Sequence, residues 1–319
     1  MGRFIVRRLL AMILVLFAIS VIVFVIFNVM PNSDPAQRLA GKNATPGLVA
    51  AINEDWGFDE PLPQQYLTMM KKIFSGDVIS YNNQLDVNEQ IIDRFPTTLS
   101  LCIGAAVLWM LFGIVFGYLS AVRAGGLIDR LLTIVAVVGI SMPVFTLAAV
   151  FLIYLTYKTQ LFPSGGYVKL TEDPLDWAYH LILPWVTLAI LYAGFYSRVL
   201  RANMLDAMDS DHVRTARAKG LSERQVMMRH VLRNSLIPIV TLFGLDFGAT
   251  VAGAAIITEA LYSLGGVGDY AAESTFHLDL PPIMVVTLFG AFFVVFFNAL
   301  VDIAYAYLDP RVKIGESAQ

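Results

Sequence analysis

The sequence predicts an all-α membrane protein with six transmembrane helices. Three observations carry the prediction. Hydrophobic residues make up 57% of the 319 residues and charged residues only 15%, against about 25% charged in soluble domains. Five charge-free windows run for 21 to 28 residues each, and a helix needs roughly 20 residues to cross the hydrocarbon core. Basic residues also concentrate in alternate connections between these windows, as membrane orientation requires.

The first window lies between Arg8 and Asp34 and predicts a helix near 9–30. Arg3, Arg7 and Arg8 precede it, as in a signal peptide. Its apolar run exceeds the roughly 7–15 residues of a cleavable signal, and Val29, Met30, Pro31 and Asn32 offer no small-x-small cleavage site. An uncleaved signal-anchor is expected. An external segment follows over 31–97. It holds Trp56, Phe58, Tyr66 and Phe74 and an amphipathic run from Gln65 to Phe74. It is too long for a plain turn and reads either as a small folded cap or as a loop lying on the headgroups.

A core of five further spans is expected over 98–310, with helices near 98–121, 131–157, 179–199, 235–260 and 282–307, and a tail at 311–319. The window for 235–260 carries Asp246 and Glu259 and is otherwise apolar. With both termini cytoplasmic, 15 of the 22 Lys and Arg residues fall inside and 7 outside, while 15 of the 25 acidic residues fall outside. The lone cysteine, Cys102, sits within an apolar run and reads as small apolar packing.

Eight of the basic residues lie between Arg198 and Arg233, in a cytoplasmic loop spanning 200–234. Asp211 reads as an N-cap, 212–219 as a helix, and Gly220 as its stop, where positive φ is needed. Ser222 and Gln225 form a capping box that opens a second helix, which runs through Met227 and Val231 towards Pro238. A helix, a glycine hinge and a helix held beneath two spans suit a docking site for a soluble partner. A plain basic loop that sets topology is the alternative.

Asp246, near mid-span, reads either as pathway-facing or as a bridge between helices, because burying a charge there is costly. Gly244, Gly248 and Ala252 form a small-residue stripe on the same helix, and Gly113 and Gly117 form another close-packing pair. Glu259, near the outer end, would meet substrate or reach water. Pro143, Pro184 and Pro238 each kink a helix or mark its first turn. The four histidines are scattered and give no zinc spacing. No nucleophile–base pair, phosphate-binding glycine loop or nucleic-acid motif is found.

The cytoplasmic loop resembles the signature of ABC-importer membrane subunits, in which Glu-Ala-Ala is followed by three residues and Gly. Arg214, Thr215 and Ala216 occupy the first three places and Gly220 the last. The missing Glu is itself similar to the dipeptide, oligopeptide and nickel permease branch, as is the run from Val213 to Leu221. Further resemblances fall in order along the chain: 4–9, 58–66, 94–99, 141–145 (Ser141, Met142, Pro143, Val144, Phe145), 161–167, 180–184, 230–234 and 302–311. Departures occur at Gly265 and Gly266, at Asp246, and at 32–34.

The resemblance implies a type I importer permease of the first of two kinds, non-catalytic, in a bacterial or archaeal cytoplasmic membrane. It implies pairing with a second homologous permease, two cytoplasmic ATPase subunits carrying ATP and Mg, and an extracytoplasmic binding protein that delivers peptide. No cofactor is expected in this chain. The ATPase-coupling residues would be Asp211, His212, Val213, Arg214, Thr215, Ala216, Arg217, Ala218, Lys219, Gly220 and Leu221. The pathway residues would be Ser141, Met142, Phe145, Asp246 and Glu259. Glutathione and nickel chelates are alternative cargoes. A secondary transporter, with inverted repeats and interrupted helices, is the alternative of another class.

Overall fold

In the computed structural model, which describes residues 2–29 and 34–308, the chain is helical, with one isolated β-bridge, Ile79 to Asp86, and no strand among the described residues. The tail expected at 311–319 and the turn at 32–33 lie outside them. Five helices are long and apolar enough to cross a membrane, and a sixth crossing is present if one bent pair counts as a single span.

The first span, α1, is Gly2–Phe24 and continues as a wide turn through Val29. Three short helices follow: α2 (Pro35–Ala40), α3 (Pro46–Trp56) and α4 (Leu62–Ser75). The first two start on one grammar, a capping side chain followed by proline. Asp34 Oδ1 accepts from the Ala36 amide at 2.9 Å and Thr45 Oγ1 from the Leu48 amide at 3.3 Å. The segment expected to be external is therefore folded, with a core of its own residues and not a loop without one. Its core is Ala36, Leu39, Ile52, Trp56 and Met69, and Trp56 Nε1 donates to Tyr81 Oη at 2.9 Å.

The second span, α5 (Val87–Val122), starts earlier than the expected 98 and carries Pro96 inside it. The third expected span, 131–157, is not one helix. It divides into α6 (Leu127–Ser141) and α7 (Val144–Lys158), bent by 101°. Met142 is extended, with φ −85° and ψ 123°, and Pro143 precedes the first turn of α7. Proline restrains the residue before it to extended backbone, which breaks the helix at Met142.

The fourth span, α8 (Pro174–Met208), is again capped by an acid before proline. Asp173 Oδ1 accepts from Leu175 and Asp176 amides at 2.9 and 3.1 Å. Helix α9, in the loop expected to be cytoplasmic, covers Asp211–Ala218. The fifth span, α10, runs from Glu223 to Ala254 with Pro238 inside it. The second loop helix is thus the first turns of α10 and not a separate element. After α10 come α11 (Ile256–Leu261), α12 (Val267–His277) and the last span, α13 (Leu280–Leu308).

The chain divides into two compact units. One comprises residues 1–99 and 248–300, the other 100–247 and 301–319. In the second unit, α5 and α8 pack through small residues. A Cβ on Gly113 would lie 2.7 Å from Tyr196, and one on Gly117 would lie 2.8 Å from Ser197 O. The expected close approach at this pair is the contact between α5 and α8. Trp109 and Tyr192 rings lie 4.5 Å apart in the same interface. Gly244 faces Val301 in this unit, and Gly248 faces Phe297 in the first, so the small stripe on α10 is the seat of α13.

Candidate functional site

The coupling candidates form a compact hairpin below the end of α8. Ser210, with extended backbone, is the N-cap of α9, and Asp211 is its first helical residue, correcting the expected cap by one position. Asp211 still places an acid in the first turn, where the helix dipole favours it. At the other end the Gly220 amide donates to Arg217 O at 2.9 Å, with φ +78° at Gly220. Positive φ reverses the chain there, as glycine permits. The capping box also forms: Gln225 Oε1 accepts from the Ser222 amide at 3.3 Å.

Two ties close the hairpin. Arg217 forks onto Glu223, donating from Nη2 to Oε1 at 2.8 Å and from Nε to Oε2 at 3.2 Å across the glycine turn. Asn234 Nδ2 donates to His212 Nε2 at 2.9 Å and to His230 O at 3.0 Å.

Helix α9 packs against 226–232 of α10 and against α8. Val213 is 0% exposed and Ala216 4% exposed. Ala216 thus belongs to the seat of the helix within its own chain. At 3.6 residues per turn, the side opposite Val213 and Ala216 carries Asp211, Arg214, Thr215 and Ala218. All four are exposed, as are Lys219, Gly220 and Leu221.

Arg201, counted among the loop's basic residues, is engaged elsewhere. It donates from Nε and Nη2 to the two carboxylate oxygens of Asp129, both at 2.8 Å. Asp129 also accepts from Ser120 Oγ and, at 2.8 Å, from the Gly125 amide. This clamp between α6 and α8 was missed in the sequence, because 72 residues separate its partners.

The five pathway candidates fall in different surroundings. Ser141, Met142 and Phe145 sit at the break between α6 and α7. Ser141 Oγ donates to Val137 O at 2.8 Å, and Phe145 is exposed in this chain. Asp246 Oδ2 accepts from Tyr196 Oη at 2.7 Å, a bridge between α8 and α10.

Glu259 is 0% exposed and so does not reach water as expected. Its Oε2 accepts from the Gly268 and Asp269 amides at 2.8 and 3.1 Å, closing the start of α12. Thr98 Oγ1 accepts from the Val267 amide at 2.9 Å in the same turn. A Cβ on Gly266 would stand 2.2 Å from Glu259 Oε2. Gly266 and Gly268, whose Cβ would stand 3.0 Å from the same oxygen, therefore make room for a carboxylate, a requirement invisible before the fold is known.

The family model for the binding-protein-dependent transport system inner membrane component matches residues 113–314. A companion model for the N-terminal part of such membrane components matches residues 1–102. A probable peptide ABC transporter permease of Sinorhizobium fredii is 34% identical over 314 residues, covering 98% of this chain and 100% of that protein. The oligopeptide transport system permease AppB of Bacillus subtilis is 33% identical, covering 98% and 100%. A glutathione transport system permease of Escherichia coli is also 33% identical, covering 98% and 99%. Among solved structures, an inward-facing methionine ABC transporter, MetNI, covers 69% of this chain and 96% of its own at a TM-score of 0.52. At 17% identity that likeness speaks for the fold alone.

Proposed function

Since the chain belongs to the family of inner membrane components of binding-protein-dependent transport systems, we propose that it is the permease subunit of an ATP-driven peptide importer, coupled to its motor through α9. The relatives named for peptide and oligopeptide transport support this cargo. In this reading six spans, the bent α6–α7 pair counted as one, form half of a pore completed by a second homologous permease. Two cytoplasmic ATPases hold ATP and Mg, and an extracytoplasmic binding protein delivers the peptide.

The observation that carries the coupling role is the exposed face of α9 on a braced seat. Val213 and Ala216 anchor the helix, and Arg217 with Glu223 ties it to the start of α10. A push on Asp211, Arg214, Thr215 or Ala218 would therefore pass into two spans and not dissipate in a loose loop. ATP-driven closure of the motor would move α9, and α8 and α10 would move with it. The interrupted α6–α7 pair is a feature that a secondary transporter also shows, but family membership favours the motor-driven reading.

The experiment is transport by the reconstituted importer. Ala218→Glu places a bulky charge on the exposed face without touching the seat. Loss of ATPase copurification, or loss of peptide uptake with ATP hydrolysis uncoupled, is expected. Normal assembly and uptake by this variant would refute the assignment of α9. Uptake of glutathione or a nickel chelate in place of peptides by the unaltered importer would reassign the cargo and leave the coupling role intact.

A further inference from the structure

Glu259 is a buried titratable group that neither the coupling hairpin nor the clamp between α6 and α8 uses. It stands on α11 in the first unit, beyond the fifth span, which ends at Ala254. Its Oε2 takes the Gly268 and Asp269 amides, while Oε1 has no hydrogen-bond partner, on a side chain with no exposure. Native proteins leave few buried polar atoms in that state. We propose that Glu259 is a proton-binding site: its carboxyl holds a proton while the start of α12 is closed on it, and releases that proton to water when the start of α12 parts from it.

Space around the bare oxygen excludes larger occupants. The cavity beside Glu259 measures about 10 Å³, room for at most one water and none for a hydrated cation. Its walls include Thr98, Gly253 and the apolar side chains of Val251, Ile256, Val267 and Phe289.

The surrounding charges favour the neutral carboxyl. No Lys, Arg or His is among the described residues on the cavity walls, and α10 and α13 bring only glycine and apolar residues to it. From α5, Arg94 lies 4.9 Å over the Tyr270 ring and attracts Asp269. From α12 come Asp269, whose charge repels a second one, and beyond it Glu273. An ionised Glu259 has one oxygen held by two amides and by the Thr98 hydroxyl, and the other bare among hydrocarbon. A carboxylate buried in this way takes up a proton in preference to staying charged. Burial raises the Glu259 carboxyl to about 7, with Thr98 and the two amides opposing.

The start of α12 depends on this one side chain. Its N-cap, Gly266, offers no capping group, so the first amides turn to Glu259 and Thr98. The preceding turn holds left-handed backbone at Ser263, φ +45°, a strained conformation for a residue with a Cβ, and at Gly265, φ +71°. On opening, water enters, the O–H bond breaks, and the proton passes to water and leaves a hydrated carboxylate. The open carboxyl has an ordinary value of about 4.3, so the closed state binds the proton more tightly. The proton's contribution to closure is full below that value and is lost as pH rises from there to about 7. One proton changes the opening equilibrium by at most about tenfold per pH unit. The site is independent of the cargo and of α9.

The test is amide hydrogen exchange of the assembled importer in lipid nanodiscs, read at 265–269 from pH 5 to 8 and divided by the intrinsic exchange rate at each pH. Protection is expected to fall as pH rises, by up to about tenfold per unit below pH 7. Glu259→Gln keeps an acceptor for the amides and carries no titrating proton, so it should flatten the profile. Asp269→Asn should leave the slope in place. Constant protection in the unaltered importer overturns the proposal, as does a slope that Glu259→Gln keeps or that Asp269→Asn removes. Should Glu259→Gln fail to assemble, the other two profiles decide.

Discussion

Ala216 and Ala218 differ by two positions and by nothing in their chemistry, yet the fold gives them opposite roles. Ala216 is buried against its own chain and Ala218 is exposed. Ala216→Glu should therefore unseat α9 by overpacking and by burying a charge, costs of about 1–3 kcal/mol or more. Protease accessibility of the 211–221 hairpin should rise in the isolated chain, with no ATPase present. Unchanged accessibility would show that position 216 is not the seat. Gly266 gives a second residue-scale prediction. Gly266→Ala drives a methyl group into the Glu259 carboxylate, which lies 2.2 Å from the new atom. A loss of about 1–3 kcal/mol is expected from overpacking, read as a lower melting temperature of the purified subunit, while Gly265→Asn, at an open position with φ +71°, should be nearly neutral because Asn tolerates that conformation.

At the scale of elements, the Asp129–Arg201 clamp ties the start of α6 to α8. Asp129→Asn and Arg201→Gln should each lower stability, and the double variant should lose less than the two losses added. Contacting groups of this kind couple by about 0.5–3 kcal/mol. Strict additivity in unfolding measurements would dissolve the clamp as an energetic unit.

The cap carries a pH dependence of definite sign. Burial raises the Asp279 carboxyl above its ordinary value, although Ser80 Oγ, donating at 2.5 Å, works against the shift. Burial raises Asp269 as well, with Arg94 and the Gly265 amide opposing. A folded value above the unfolded one, about 3.9 for Asp, means that the native state holds the proton more tightly. That stabilisation is complete below the unfolded value and is lost as pH rises through the folded one. The melting temperature of Asp279→Asn should thus fall less steeply than that of the unaltered chain as pH rises from 4 to 8; parallel curves would exclude Asp279 as a contributor.

For the whole molecule, the distribution of basic residues predicts that 31–86 and the α9 hairpin lie on opposite sides of the membrane. Single cysteines at Ser75 and Asp209, labelled with an impermeant thiol reagent in sealed vesicles, test this directly. The native Cys102 is 0% exposed and supplies a quiet background. Labelling of both positions from one side would overturn the topology.

Much of the architecture was legible in the sequence, because crossing a bilayer is a constraint on single segments. A run of apolar residues must satisfy its backbone within one helix, so four of the five charge-free windows, with the nearly apolar 235–260, marked five spans without knowledge of any neighbour, while the remaining window, 131–157, breaks at Met142. The acid-Pro and Thr-Pro helix starts, the Gly220 stop and the Ser222–Gln225 capping box are equally local, each settled within a few residues. The family resemblance added the role of the loop. What tertiary structure alone decided was direction and pairing. It decided that Val213 and Ala216 face inward, that Arg201 is taken up by Asp129, that Glu259 closes a helix start, and that α4 packs beside α1 where Tyr66 meets Ser20. Such outcomes depend on which surfaces arrive opposite one another after the spans have packed, and partners tens to hundreds of residues apart leave no periodicity in a single sequence from which to read them.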